Sequence, residues 1–303
     1  MVDKLVKYIF FSNYFIGLLA IALSIETCCQ LQLQLNSIPY YLLLFSATVM
    51  YYSYAYQSFD DKHSQINERT EWYSTHPLFA RWNVSSAFIA CVLLAIFLIK
   101  EHYAAMLHLP IAYWLIIMVA IATGLLYYGL VPRSFLRFNL RNTGWVKAFV
   151  IGFVWACAVS LLPLVMLKIE HGLHLSNPVF VAWLFVKNWM FCTVNAIMFD
   201  MKDFAEDANH QLKTFVVRIG LRKTIYFVLM PLLLIGIASM AVFAYFEHFG
   251  IVYYLINLLP FLLLILLAYS MHTRKNILYY LIAIDGVLFI KALCGIVAMK
   301  FIN

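Results

Sequence analysis

From Ile251 to Met271 the chain reads IVYYLINLLPFLLLILLAYSM, 21 residues without a charged side chain. An α-helix rises 1.5 Å per residue, so a run of this length reaches ~30 Å, the thickness of the hydrocarbon core of a bilayer. A segment crossing lipid must satisfy its backbone internally, which selects helix, and no run in the chain alternates as a barrel strand would. Runs of the same character recur at roughly 8–30, 39–58, 82–99, 109–131, 145–167, 177–199, 224–246 and 277–299. Together they predict an all-α polytopic membrane protein, a bundle of about nine transmembrane helices. Gly124, Gly152, Pro163, Pro231 and Pro260 fall inside these runs and mark close helix contacts or kinks.

Composition excludes an ordinary water-soluble domain. Hydrophobic residues make up 65% of the chain and charged residues 12%, with mean hydropathy +0.87, against about 45–50% and about 25% in soluble domains. The net charge of +7 does not call for nucleic acid, because topology places the basic residues. One set of connections carries Lys4, Lys7, Lys62, Arg69, Arg81, Arg133, Arg137, Arg141, Lys147, Lys202, Lys213, Arg218, Arg222, Lys223, Arg274 and Lys275; the other carries Lys100, Lys168 and Lys300. By the positive-inside rule the first set is cytoplasmic, with the N-terminus inside and the C-terminus outside. The first apolar run is too long for a signal peptide's core and reads as an anchor. With no linker or low-complexity stretch, residues 1–303 form one transmembrane domain. The absence of a targeting segment points to a multi-pass protein of a bacterial plasma (inner) membrane. The six cysteines lack metal-ligand spacing and read mostly as small core residues.

The connection after the sixth run carries the chemistry: Phe199-Asp200-Met201-Lys202-Asp203-Phe204-Ala205-Glu206-Asp207. Asp200, Asp203 and Asp207 fall at i, i+3 and i+7, one face of a continuous helix. Clustered carboxylates repel one another, and a divalent cation relieves that repulsion; Mg²⁺ commonly takes one or two carboxylates plus substrate phosphates. Cations follow at Lys213 and Arg218 in Lys213-Thr214-Phe215-Val216-Val217-Arg218-Ile219-Gly220. Inside the runs, Lys187 and Asp285 are available to pair with each other, Glu26 to reach the far interface, and Asn13 and Asn195 to bond between helices.

The stretch from Asp200 to Gly220 resembles the second aspartate-rich motif of the UbiA superfamily of intramembrane prenyltransferases, D-x-x-D-x-x-x-D followed by a K-x-T-x-x-V-R-x-G-like segment. The helix count and cytoplasmic acidic connections are similar to that family's as well. The first family motif, N-D-x-x-D-x-x-x-D, has its counterpart near Tyr56-Gln57-Ser58-Phe59-Asp60-Asp61-Lys62-His63-Ser64, where Asp60 alone falls on an acidic position and Asp61 stands beside it. The resemblance implies Mg²⁺ held by Asp200, Asp203, Asp207 and Asp60, the catalytic acids. It also implies a prenyl diphosphate contacted by Arg133, Arg137, Lys213, Lys202, Tyr128 and Asp61, a lipophilic acceptor of the aromatic class, and membrane lipid as a further partner. The arginines between the fourth and fifth runs satisfy the positive-inside rule equally, so topology and phosphate binding both remain open for them. The altered first motif keeps a second function in view, a non-catalytic lipid-binding or assembly protein on the same scaffold. A transporter is disfavoured, since no inverted repeat is evident and the acids gather at one face.

Overall fold

The computed structural model describes residues 2–57, 68–128, 143–173, 177–209, 211–273 and 275–301. The described residues are overwhelmingly helical, with no strand among them. In chain order the helices are α1 (Val2–Phe11), α2 (Tyr14–Gln30), α3 (Ile38–Gln57), α4 (Glu68–Thr75), α5 (Pro77–Glu101), α6 (Tyr103–Leu107), α7 (Ile111–Tyr128) and α8 (Val146–Ala156). They continue with α9 (Leu162–His171), α10 (Pro178–Lys202), α11 (Phe204–Asn209), α12 (Phe215–Ile219), α13 (Leu221–Thr224), α14 (Met230–Phe246), α15 (Ile251–Ser270) and α16 (Ile277–Ala298). Each of the nine apolar runs coincides with a helix or a joined pair. By length and composition six of these are able to cross a bilayer, and the bent pair α1–α2 would make a seventh.

Proline shapes two of the long helices. Wide π turns join α8 to α9 over Cys157–Leu161 and α13 to α14 over Ile225–Leu229, just before Pro163 and Pro231. A proline ring lacks the N–H of an α-helical bond and clashes with the carbonyl four residues back, and a widened turn relieves both.

The first apolar run is not one straight helix. α1 and α2 meet at 61°, with Asn13 in the left-handed region at φ 67°. The bend frees carbonyls, and distant side chains take them up. Arg69 and Tyr73 of α4 donate to the Phe11 carbonyl at 3.0 and 2.8 Å, and Asn83 of α5 donates to that of Ser12 at 3.2 Å. Asn13 donates to Ser53 of α3 at 2.9 Å and accepts from Arg69. The polar residue that the sequence offers for bonding between helices thus fastens α2, α3 and α4 at the bend.

The solvent is lipid, and burial sorts the helices accordingly. The apolar windows of α8–α9, α10 and α16 are each 56% buried, whereas that of α5 is 11% buried. α10 and α16 therefore form the inner wall with α2 and α8, all contributing to one core with Leu23, Ala148, Ile197 and Ala292 at its centre. α5 presents Trp82, Phe88, Leu93 and Phe97 outward, as a lipid-facing helix does.

Charge inside the bundle is arranged differently from the sequence-based expectation. Lys187 does not pair with Asp285; it pairs with Glu26, whose side chain turns into the bundle. Glu26 is buried and binds Lys291 at 2.6 Å and Lys187 at 3.5 Å. Lys187 donates to Gln30 at 2.7 Å, and Lys291 donates to Asn188. The cause is close packing of α2 on α16: a Cβ on Gly295 would lie 2.4 Å from the Glu26 carboxylate, so the glycine makes room for it. Buried charge needs paired partners, and this site supplies them from three helices.

Candidate functional site

The acidic connection begins where α10 ends. Asp200 lies in the last turn of α10, Asp203 caps that helix, and Asp207 lies in α11. The helix is not continuous through the three acids, because α10 stops at Lys202 and the chain restarts at Phe204. Backbone bonds nevertheless bridge the break, from Asp203 N–H to the Phe199 carbonyl and from Asp207 N–H to the Asp203 carbonyl. The turn separates the acids into two environments. Asp203 takes an ion pair with Lys202, which suits a cation in the last turn of a helix.

Asp200 and Asp207 instead converge on Lys147 in the first turn of α8. Its ammonium stands 2.8 Å from Asp200 and 3.8 Å from Asp207. All three side chains are withdrawn from solvent, and the second oxygen of Asp200, Oδ2, is buried without a hydrogen-bond partner. Two carboxylates already aimed at one cation are a reasonable acidic half of a Mg²⁺ site, whose remaining ligands would be phosphate oxygens and water. Among the described residues no three His, Cys, Asp or Glu side chains gather closely enough to hold a metal by themselves.

The segment after the acids is clamped to the same corner. Gly144, two residues before α8, has φ +67°, and a Cβ there would meet the Lys213 carbonyl oxygen at 2.7 Å. Thr214 is fully buried and its hydroxyl caps α12 by accepting from Val217 N–H at 3.4 Å, a standard N-cap role. Phe215 packs edge-on to Phe149 and tilted against Trp145 of the α8 side. Lys213 and Arg218 keep their own side chains exposed. The backbone is thus fixed while these two cations remain exposed.

Of the residues singled out from sequence, Asp200 and Asp207 come together, Asp203 and Lys202 pair alongside, and Lys213 stands at the rim. Tyr128 ends α7, but its side chain lies outside the described residues, as do Asp60, Asp61, Arg133 and Arg137 entirely. Lys147 is the residue whose part the sequence reading did not isolate. It stood among the basic residues of its connection, and a lysine in the first turn of an apolar helix on the acidic side was the available signal.

No protein-family model matches the chain, and no curated protein matches it in sequence. Its structure is similar to one described for digeranylgeranylglyceryl phosphate synthase in membranes, at 14% identity and a TM-score of 0.54, over 98% of this chain and 99% of that one. The chain therefore shares the fold of that synthase along essentially its whole length.

Proposed function

We propose that this protein is a membrane-embedded prenyltransferase that moves a prenyl group from a prenyl diphosphate to a lipophilic acceptor, as in the making of quinones or related isoprenoid lipids. The observation that carries the reading is the convergence of Asp200 and Asp207 on Lys147 at one end of a bundle with that fold. A prenyl diphosphate has a charged head and a tail soluble only in lipid, and a polar corner at the edge of an apolar bundle suits both. Asp200 and Asp207, together with Asp203 and Asp60, would hold Mg²⁺, which when bound supplies positive charge for the diphosphate oxygens.

The chain's own cations do the rest. Lys147, paired with Asp200 and Asp207, would be free to turn its ammonium to the diphosphate if those carboxylates held a metal. Lys202, Lys213, Arg133 and Arg137 neutralise the leaving group as charge develops on it, with Tyr128 and Asp61 completing the pocket for the head. Fixed charges placed where charge develops are often the largest contribution to catalysis. The acceptor then captures the allylic cation without a covalent enzyme intermediate.

The test is diphosphate release by the purified protein with allylic diphosphates of several chain lengths and a panel of acceptors, in Mg²⁺ and in EDTA. Release should require Mg²⁺ and fall by about 100-fold or more in Asp200→Asn, the scale of losing one electrostatic stabiliser. The replacement of family anchors by Tyr56, Gln57 and Ser64 favours the alternative, a non-catalytic lipid-binding or assembly protein. Mg²⁺-dependent binding of a prenyl diphosphate with no release under any condition would select that alternative.

A further inference from the structure

An apolar groove runs along the outside of the bundle where α3 and α5 lie against each other. Tyr51 and Tyr54 of α3 and Val84, Ser85, Phe88 and Ile89 of α5 line it, and it holds about 560 Å³. That falls within the ~300–1,000 Å³ of ligand pockets. Its inner wall is fixed, because Tyr51 donates to the Gly124 carbonyl of α7 at 2.9 Å. Its other side opens away from the bundle: Phe88 and Ile89 are each 56% exposed and Tyr54 is 41% exposed. α5 is also the candidate span whose apolar window is least buried. In a membrane this opening meets lipid, and walls so apolar favour hydrocarbon over water, which would lack partners there.

One turn beyond the groove, toward the start of α5, the same face of the helix changes character. Arg81, Ser85 and Ile89 are spaced i, i+4 and i+8, and Arg81, Val84 and Phe88 are spaced i, i+3 and i+7, so all five stand on one stripe of a continuous helix. Arg81 precedes Ser85 by ~6 Å of helix axis and Ile89 by ~12 Å. It is exposed, and the ion pairs among the described residues leave it out. Trp82 beside it is 74% exposed. An exposed tryptophan next to an arginine at the end of an apolar run marks the level of the lipid headgroups. The stripe therefore sets a cation at headgroup depth above a slot at chain depth. On the positive-inside reading this is the cytoplasmic leaflet, whose surface carries anionic lipid.

We propose that this groove binds an anionic glycerophospholipid, with one acyl chain lying between α3 and α5 and the phosphate paired with Arg81. The guanidinium offers parallel N–H donors that match two phosphate oxygens, and Ser85 brings a hydroxyl to the same mouth. The second chain stays in the surrounding bilayer. Charge holds the head while the slot holds the chain, so a lipid of this class is retained where a bulk neighbour exchanges. The site makes no use of the acidic corner at Asp200 and Asp207, and it stands whether or not the protein transfers prenyl groups.

The experiment is native mass spectrometry of the full chain in mild detergent, titrated with dioleoylphosphatidylglycerol or dioleoylphosphatidylcholine, with thermal unfolding recorded for every variant. The first phosphatidylglycerol taken up should bind about fivefold or more tighter than phosphatidylcholine, the scale of one cationic contact at a membrane surface. Arg81→Gln should abolish that preference, whereas Lys100→Gln, at the other end of α5, should leave it unchanged. Ser85→Phe and Ile89→Trp, which fill the groove from its two ends, should each weaken both lipids by about fivefold or more, the loss expected when the chain is displaced, while melting within a few degrees of wild type. Equal binding of the two lipids by the wild-type protein, equal effects of Arg81→Gln and Lys100→Gln, or undiminished lipid binding in the filled variants overturns the site. Displacement of phosphatidylglycerol by farnesyl diphosphate, with farnesyl diphosphate binding lost in the filled variants, also overturns it and gives the groove to the tail of a prenyl donor.

Discussion

An ammonium in the first turn of a helix opposes the positive end of the helix dipole, yet Lys147 occupies that position in α8 and is almost wholly removed from solvent. What offsets the cost is the pair of carboxylates from α10 and α11. Removing one partner of a buried ion pair leaves an uncompensated charge, so Lys147→Met should lower stability by ~3–5 kcal/mol, read as a fall in the thermal midpoint in detergent. If the same carboxylates bind Mg²⁺, added Mg²⁺ should restore part of the loss in Lys147→Met and do little for Lys147→Met/Asp200→Asn. Unequal responses of this kind would separate a metal site from a merely structural ion pair. At this scale the acids were legible, because Asp200, Asp203 and Asp207 are neighbours in sequence and their spacing carries information. Lys147 was not. Its partners arrive only when α8 packs along α10, and no local pattern records that contact.

At the scale of elements, apolar length sufficed to find helices, but proline marked only places for a kink: Pro163 and Pro231 follow wide turns, whereas Pro260 lies inside α15. The bend between α1 and α2 was hidden because Asn13 reads as one polar residue within an apolar run; the donors that stabilise the freed carbonyls come from α4 and α5. The continuous acidic helix expected from i, i+3 and i+7 spacing gave way to a turn, since α10 ends at Lys202. The clamp of the Lys213 segment on Gly144 is likewise a tertiary feature. Gly144 combines a positive φ with a backbone oxygen 2.7 Å from where a Cβ would stand. Gly144→Ala should therefore cost ~1–3 kcal/mol, the usual scale for a side chain held in a sparsely populated backbone region. It should also weaken diphosphate binding by displacing Lys213 from the acidic corner. Calorimetric titration of inorganic diphosphate in Mg²⁺ checks this against Gly172→Ala, a positive-φ glycine with open space around it, which should lose stability without losing diphosphate affinity.

At the scale of the whole molecule, the membrane reading follows from an apolar exterior and from buried charges paired across helices. Glu26 joins α2 to α10 and α16 through Lys187 and Lys291, a set of partners that the sequence could not assign because pairing inside a bundle depends on helix rotation and depth. Glu26→Gln should cost ~3–5 kcal/mol by leaving two buried ammoniums, seen as a lower thermal midpoint. Topology supplies the broader test. α3 and α7 fall outside the helices judged able to cross by length and hydropathy, but α3 has 20 residues and α7 has 18, or ~30 and ~27 Å of helix. That is the thickness a span needs. The hydropathy of α3 is lowered by its tyrosines, which include Tyr40 and Tyr41 at one end and Tyr51, Tyr52 and Tyr54 toward the other, and tyrosine is favoured at both membrane interfaces. We therefore expect both to cross, for nine crossings in all. Reporters of cytoplasmic location should then be active when fused before Met1 and after Arg69, and inactive after Lys100 and at the C-terminus. Activity on the same side at both ends would mean an even number of crossings and would remove α7 from the bilayer first, since it is the shorter of the two.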